Sequence, residues 1–259
     1  MVKHAIIALE GNHDQALVAK LLKNLGFKSF DGNVSNLDPF WKKLIPPFPK
    51  KGNLYARLNM PSILFNESLS VAIYVGEGSN IAENLDDFLS INPEYQTDII
   101  ALGIIADADK KNPEKVVEKY SKRLLNYFSD FPDQPGIVDK HFPRTGIYVL
   151  PNNVSQGVLD TLLCECGEIV YSDYMERAKL YLDNFSQEER DSKPLKWKPF
   201  DDKKALVATV VSVLKPGKTN TVSINDNDWI SDQTIEKVES LKLLQIFLME
   251  LLGLTKFND

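Results

Sequence analysis

The sequence predicts an α/β fold with a mainly parallel central sheet, helices on both faces and a mostly helical C-terminal extension. Short apolar runs alternate with amphipathic segments over residues 1–168, a pattern typical of parallel α/β sheets. The run 98–106 is apolar on both faces, which indicates a central strand covered on both sides. After residue 168 the helical periodicity continues. We therefore expect an α/β domain over 1–168 and a helical extension over 169–259 packed on it.

The first half of the chain alternates strand and helix around a long irregular segment. Residues 4–9 are apolar and β-compatible, and apolar residues then recur at helical spacing until Gly26. Residues 36–62 carry five prolines and no clear period, which predicts an insertion or long loop with a short helix near Trp41. A strand is predicted over 69–75.

The remaining elements follow from the same rules. Pro113 suits the first turn of a helix, and residues 146–150 suit a strand. The run 205–214 fits either a helix or a strand. Further amphipathic patterns predict helices over 80–89, 157–166, 169–185 and 231–252.

Composition limits the classes of protein to which the chain can belong. It is 43% hydrophobic and 25% charged, values typical of a globular protein. No apolar run approaches the roughly 18 residues of a membrane helix, and the first apolar run is too short for a signal peptide. Cys164 and Cys166 are spaced for neither a structural zinc site nor a disulfide framework. We expect a cytoplasmic protein without membrane contact.

The net charge of −6 argues against a broad basic surface for nucleic acid. Local basic groups remain, and each is interpreted either as a nucleic-acid patch or, preferably, as a solvated surface. The first group surrounds the proline-rich segment and the second lies near the C-terminal region: Lys42, Lys43, Lys50, Lys51 and Arg57, then Lys203, Lys204, Lys215 and Lys218.

Two acidic pairs follow predicted strands. Glu10 leaves the first strand and Asp14 opens the helix after it; taken alone, Asp14 is better explained as a helix-start acid and Glu10 as a solvated turn residue. Asp107 and Asp109 follow the buried strand, and strand alternation predicts that their side chains point to the same side. His13, between the first two acids, is interpreted as a solvated turn residue.

Both pairs should lie at the carboxyl edge of a parallel sheet, where ligands bind in open α/β folds. If the two strands are neighbours, the carboxylates converge and repel one another. At a separation of about 4 Å, each pair of charges repels by roughly 1 kcal/mol in water and roughly 4 kcal/mol at an effective dielectric of 20. A bound cation or a shared proton would relieve this repulsion. Oxygen-only ligands favour Mg²⁺, Mn²⁺ or Ca²⁺ over zinc, and Mg²⁺ often takes phosphate as a further ligand.

These motifs resemble those of a Toprim domain, which occurs in topoisomerases, primases, recombination proteins and the overcoming-lysogenization-defect nucleases. The resembling motifs are Glu-Gly-x-x-Asp at 10–14 and Asp-x-Asp at 107–109. The chain is still more similar to a Toprim-related group of bacterial and archaeal proteins without assigned function, through residues 102–109, 146–153 and 157–163. The similarity covers about residues 4–170, with a weaker match over 204–230.

The resemblance implies a role for each acid. Glu10 would act as general acid/base or metal ligand, Asp107 and Asp109 would bind metal, and Asp14 would support or ligate. Asp160 stands where related proteins place a glutamate and would be a supporting residue.

Three polar residues near these motifs are further supporting candidates. Asn152 and Asn153 would orient substrate or water, although a capping turn explains them equally well. Lys110 would meet a phosphate or balance local charge.

Two functions are consistent with this reading. The first is a magnesium-dependent phosphoryl-transfer enzyme, most simply a nuclease, acting on nucleic acid or a nucleotide. The second is a non-catalytic Toprim-like module that binds a protein partner or a nucleotide. The complete acidic set favours the first, whereas the acidic net charge favours the second.

Overall fold

A computed structural model describes residues 2–49, 52–55, 58–76 and 78–254. Within these ranges a seven-stranded sheet has the order β2-β3-β4-β1-β5-β7-β6. Strands β4, β1, β5 and β7 run parallel, whereas β2, β3 and β6 pair antiparallel at the two edges. The strands are β1 Lys3–Leu9, β2 Lys28–Ser29, β3 Ser62–Phe65, β4 Leu69–Val75, β5 Ala101–Asp107, β6 Val138–Asp139 and β7 Arg144–Leu150.

Helices connect the strands and continue after the sheet. The first five are α1 Asn12–Asn24, α2 Ile81–Ile91, α3 Glu94–Thr97, α4 Pro113–Leu124 and α5 Leu159–Val170. The C-terminal ones are α6 Ser172–Leu182, α7 Gln187–Asp191, α8 Asp201–Leu214, α9 Asn220–Asp226, α10 Asp232–Lys237 and α11 Glu239–Leu252. The predicted class, a mainly parallel sheet with helices on both faces and a mostly helical C-terminal region, is confirmed.

Strand β5 is central, as its two-faced apolar sequence predicts. Ala101 is opposite Ala5 of β1 on one side and Arg144 of β7 on the other. Alternate residues of β5 enter different cores: Ile105 packs with α1 and α5, whereas Ile104 packs with α2 and α4. Each face of the sheet is therefore covered by its own apolar layer.

Most of the helices after residue 168, including α6, α8 and α11, share the core of α1 and α5. Leu251 of α11 packs over Gly103, where an added Cβ would lie 2.3 Å from its Cδ2. The buried Tyr148 hydroxyl of β7 donates to the Ser240 carbonyl at 3.0 Å. The absence of a side chain at position 103 thus lets α11 approach the sheet closely. The division of the chain at residue 168 remains a prediction.

Local structure departs from the sequence prediction in the C-terminal half. The ambiguous run 205–214 is helical, because its buried valines repeat at helical spacing against α5 and α6. The predicted helix 169–185 is interrupted at Tyr171, whose hydroxyl accepts from the Asp228 amide. The predicted helix 231–252 is interrupted at Val238, which is extended and buried.

The proline-rich segment is anchored on the sheet rather than wholly looped out. Residues Pro39–Leu44 form a 3₁₀ helix, and the indole Nε1 of the buried Trp41 donates to Ser70 Oγ of β4 at 2.8 Å. Its end supplies β3, a strand that the sequence did not predict, because only two residues of it are buried.

The basic groups found in the sequence are partly paired with acids. Lys43 pairs with Glu94, and Lys215 pairs with Asp226 at 3.0 Å. Lys203 and Lys204 also lie within ion-pair distance of neighbouring aspartates. Lys50, Lys51 and Arg57 lie outside the described residues. No helix in the described ranges has the length and apolar character needed to span a membrane.

Candidate acidic metal site

The predicted acids are carried by two neighbouring parallel strands. Leu9, the last residue of β1, is opposite Ile105 of β5. Glu10 therefore leaves the sheet beside the end of β5, where Asp107 is the last strand residue. Both residues therefore lie at the carboxyl ends of the strands, because parallel strands end on the same side of a sheet.

Asp14 lies in the first turn of α1, and its side chain is only 7% exposed. Its Oδ2 accepts from the Gly11 amide at 2.9 Å, a helix-capping interaction. Burial, followed by the negative charge of Glu10, raises the pKa of this carboxyl to about 7, and the Gly11 amide only partly offsets them. The capping role and a place in the acidic site coexist in this residue.

Asp107 holds the start of α5. Its Oδ1 accepts from the amide of Leu159, the first residue of that helix, at 2.9 Å. Burial raises the pKa of Asp107 well above its usual range, and the charges of Asp14, Glu10 and Asp109 raise it further. Asp107 therefore lies within electrostatic reach of all three other acids.

Glu10 is half-buried between acidic and basic neighbours. Burial raises its pKa, with Asp109 as the next cause, whereas Lys119, Tyr120 and Lys111 lower it. The Tyr120 hydroxyl hydrogen-bonds the Glu10 carboxylate; burial raises the pKa of Tyr120 well above its usual range, and the charge of Glu10 and this hydrogen bond raise it further. Helix α4 thus supplies a hydroxyl donor and a cation to the edge of the acidic cluster.

The backbone conformation at Asp109 differs from the extended one that was predicted. Strand β5 ends at Asp107, and Asp109 has a left-handed backbone with φ of 51°. Strand alternation therefore does not extend from Asp107 to Asp109, although the two acids still interact electrostatically. Asp109 instead forms a two-hydrogen-bond bridge with Gly157, at N···O distances of 2.7 and 3.1 Å. Its side chain is exposed and can adjust without disturbing the core.

Asp160 connects the cluster to the C-terminal helices. It is buried in the first turn of α5, and its charge raises the pKa of Asp14. Burial raises the pKa of Asp160 itself, whereas His13 and Lys204 lower it. His13, predicted to be only a solvated turn residue, therefore acts electrostatically on the site. Lys204 brings a charge from α8.

The other supporting candidates serve the local backbone. Asn152 Oδ1 accepts from the amides of Val154 and Ser155 at 3.1 and 2.8 Å, and Asn153 Oδ1 accepts from the Val149 amide at 2.7 Å. These are turn interactions, in line with the capping alternative. The carbonyl of the exposed Lys110 accepts from Gln156 Nε2 at 2.8 Å. Lys111 and Lys119, rather than Lys110, act on Glu10.

The site residues that the sequence did not single out are on or just before α4. Tyr120, Lys119 and Lys111 belong to an ordinary amphipathic pattern, and no local motif marks them. Their proximity to Glu10 follows from the packing of α4 beside β5.

The acidic cluster is open rather than closed. In the part of the chain that the structure describes, no three of these carboxylates have oxygen atoms that all lie within 4.8 Å of one another. The group Asp130, Asp139 and His141 does meet this distance. The donors are all oxygen, which suits Mg²⁺ or Mn²⁺.

Comparisons with known proteins extend over most of the chain. The crystal structure of a hypothetical protein from Pyrococcus horikoshii OT3 has a similar fold, with a TM-score of 0.55 and 16% identity over 96% of this chain and 95% of that one. No curated protein matches the chain significantly. The model of one family matches residues 4–247. The chain therefore belongs to the family described as a protein of unknown function, DUF3226.

Proposed function

We propose that the acidic site binds Mg²⁺ or Mn²⁺ and supports phosphoryl transfer, with cleavage of nucleic-acid phosphodiesters as its reaction. The observation that carries the proposal is the gathering of Glu10, Asp14, Asp107 and Asp109 at the ends of two adjoining parallel strands. Such a set is costly in the absence of a cation, because burial and mutual repulsion both disfavour the charged carboxylates.

The residues fit the ion that the Toprim resemblance implies. Asp107 and Asp109 would hold it, Glu10 would complete the set, and Asp14 would support it from the first turn of α1. When bound, such an ion activates water and stabilises a leaving oxygen. The exposed Asp109 and half-buried Glu10 have the freedom to close on an ion, whereas Asp107 is fixed by its bond to the Leu159 amide.

The side chains around the acids supply the remaining chemistry. Glu10, whose pKa is raised, can accept a proton nearer neutral pH than an ordinary glutamate. The Tyr120 hydroxyl orients it. Lys111 and Lys119 bring positive charge next to Glu10, where an anionic phosphate would approach. The two free cysteines fit a protein of the reducing cytoplasm, which we include in the proposal.

Metal-dependent cleavage of single- and double-stranded DNA and RNA tests the proposal. We expect cleavage with Mg²⁺ or Mn²⁺ and none with EDTA, and a loss of at least about 100-fold in Asp107→Ala, because that change removes a ligand. Asp133→Asn, which alters an exposed acid outside the cluster, is the matched control. Metal binding without cleavage of any substrate would reject the enzyme and favour the non-catalytic, nucleotide- or partner-binding module.

A further inference from the structure

A second group of potential metal ligands lies near the amino end of β7, at the opposite end of the strands from the acidic metal site. Asp130, Asp139 and His141 each offer one ligand atom, and the three atoms all lie within 4.8 Å of one another. His141 Nδ1 is 2.8 Å from Asp139 Oδ1. Asp139 ends β6, so the backbone ladder to β7 fixes one member of the group. A single ion could contact all three with small side-chain movements.

These residues border a cavity of about 110 Å³. Its walls include Tyr127 and Phe128, which follow α4, and Thr145 of β7. A water occupies about 30 Å³ in the liquid, so the cavity has room for an ion together with a few waters.

Thr145 supplies an independent sign that a ligand belongs there. Its side chain is 1% exposed, and within the described residues its Oγ1 is one of two buried side-chain polar atoms without a hydrogen-bond partner. Buried hydroxyls are normally paired, so this one calls for an explanation. Thr145 is directly opposite Asp139 in the antiparallel pair, which places both side chains on the same face of the sheet. The Thr145 side chain therefore lies on the same face as Asp139, and Thr145 lines the cavity.

We propose that Asp130, Asp139 and His141 bind a divalent first-row transition metal such as Zn²⁺, with the Thr145 hydroxyl hydrogen-bonded to a water ligand of that ion. One imidazole nitrogen and two carboxylate oxygens suit such metals, whereas Mg²⁺ and Ca²⁺ prefer oxygen alone. Three protein ligands leave a fourth zinc position for water. That water would satisfy the buried hydroxyl.

The proposed zinc site does not depend on the acidic metal site. Asp107 is opposite Leu150 at the far end of the β5–β7 ladder, whereas Thr145 is near its beginning. Leu150 lies five positions after Thr145 on the extended strand, a span of roughly 16 Å. One site can therefore be disabled while the other is measured.

Calorimetric titration with Zn²⁺ tests the proposal in the Asp107→Asn/Asp109→Asn variant of the full chain. We expect one Zn²⁺ per chain with saturable binding. His141→Asn added to this background should weaken binding at least tenfold because it removes the nitrogen ligand. Thr145→Val should weaken it about tenfold, as expected for loss of a partner of a metal-bound water. Asp133→Asn should leave the affinity unchanged.

Cobalt gives a second readout that does not rely on heat. Co²⁺ bound at the site should show visible absorption that disappears in His141→Asn, while circular dichroism confirms that this exposed-residue variant is folded. Absence of saturable Zn²⁺ binding overturns the proposal, as does equal affinity in the His141→Asn variant and its parent. Displacement of Zn²⁺ by equimolar Mg²⁺ overturns the assignment of the metal class.

Discussion

The acidic metal site and the cluster of Asp130, Asp139 and His141 lie at opposite ends of the strands of the same sheet. The two clusters differ in burial. At the carboxyl edge, Asp14 and Asp107 are withdrawn from solvent, and burial is the first cause of their raised pKa values. At the amino edge, Asp130 and His141 are exposed, and Asp139 is paired with the histidine. The pKa of His141 is raised, first through its hydrogen bond to Asp139.

The difference shows what makes a cluster of acids costly. Exposed carboxylates are screened by water and can share a proton with a histidine, so they cost the fold little. Buried carboxylates lose hydration and repel one another at short range, so either a proton or a cation must relieve them. Stability in the absence of metal should therefore depend on pH at the carboxyl edge far more than at the amino edge.

The largest expected effect comes from Asp14. Because the folded state binds the Asp14 proton more tightly than the unfolded chain, this carboxyl favours folding below about pH 4, and the contribution is lost as the pH rises to about 7. A change of three pKa units corresponds to on the order of 4 kcal/mol. Asp14→Asn should thus match the wild type near pH 4 and exceed it by up to this amount at pH 8. Urea unfolding in EDTA measures the free energy of unfolding of the variant and the wild type at each pH. A difference between the two proteins that does not change with pH would contradict the prediction.

Metal binding should produce the next largest effect. Mg²⁺ or Mn²⁺ at about a hundredfold its dissociation constant should stabilise the fold by roughly 2.7 kcal/mol, or about 5–10 °C in Tm. Asp107→Asn with Asp109→Asn should abolish the shift and leave metal-free stability equal or higher, since it relieves repulsion. The asparagine amide oxygen can still accept from Leu159. Thermal melts that show no metal shift in the wild type and a destabilised variant would mean that these acids are only structural.

A packing variant tests whether the effect of the buried acids on stability is independent of the packing of α11 on the sheet. Gly103→Ala would place a Cβ against Leu251 and should cost about 1–3 kcal/mol through overpacking. Because position 103 contacts neither acidic group, its cost should add to that of Asp14→Asn. Combining it with Leu251→Ala should cost less than the sum of the two changes. Strict additivity of that last pair, measured by urea unfolding, would argue against close contact of α11 with the sheet.

The smallest effect is expected at the amino edge. Asp139→Asn removes an ion pair to a histidine that is 80% exposed, and solvent screening makes such pairs nearly neutral for stability. We expect a Tm in EDTA within experimental error of the wild type from pH 5 to 8. A pH-dependent loss comparable to that at Asp14 would erase the distinction between the two edges.

The sequence itself determined the parallel strands of the sheet and the acids at their carboxyl ends. The two-faced apolar run of β5 requires cover on both sides, and that alone makes it central. Glu10 directly follows β1 and Asp107 ends β5, so their proximity depends only on β1 and β5 being parallel neighbours. These features are local in the chain or follow from general rules of parallel sheets.

Other features of the protein depend on tertiary contacts and have no local pattern in the sequence. The run 205–214 suits either state in isolation, and only packing against α5 and α6 makes it helical. Tyr120 and Lys119 reach Glu10 because α4 packs beside β5. Asp130, Asp139 and His141 converge only after β6 pairs with β7. Chain neighbours constrain backbone conformation, whereas burial, charge coupling and ligand geometry arise between residues that only folding brings together.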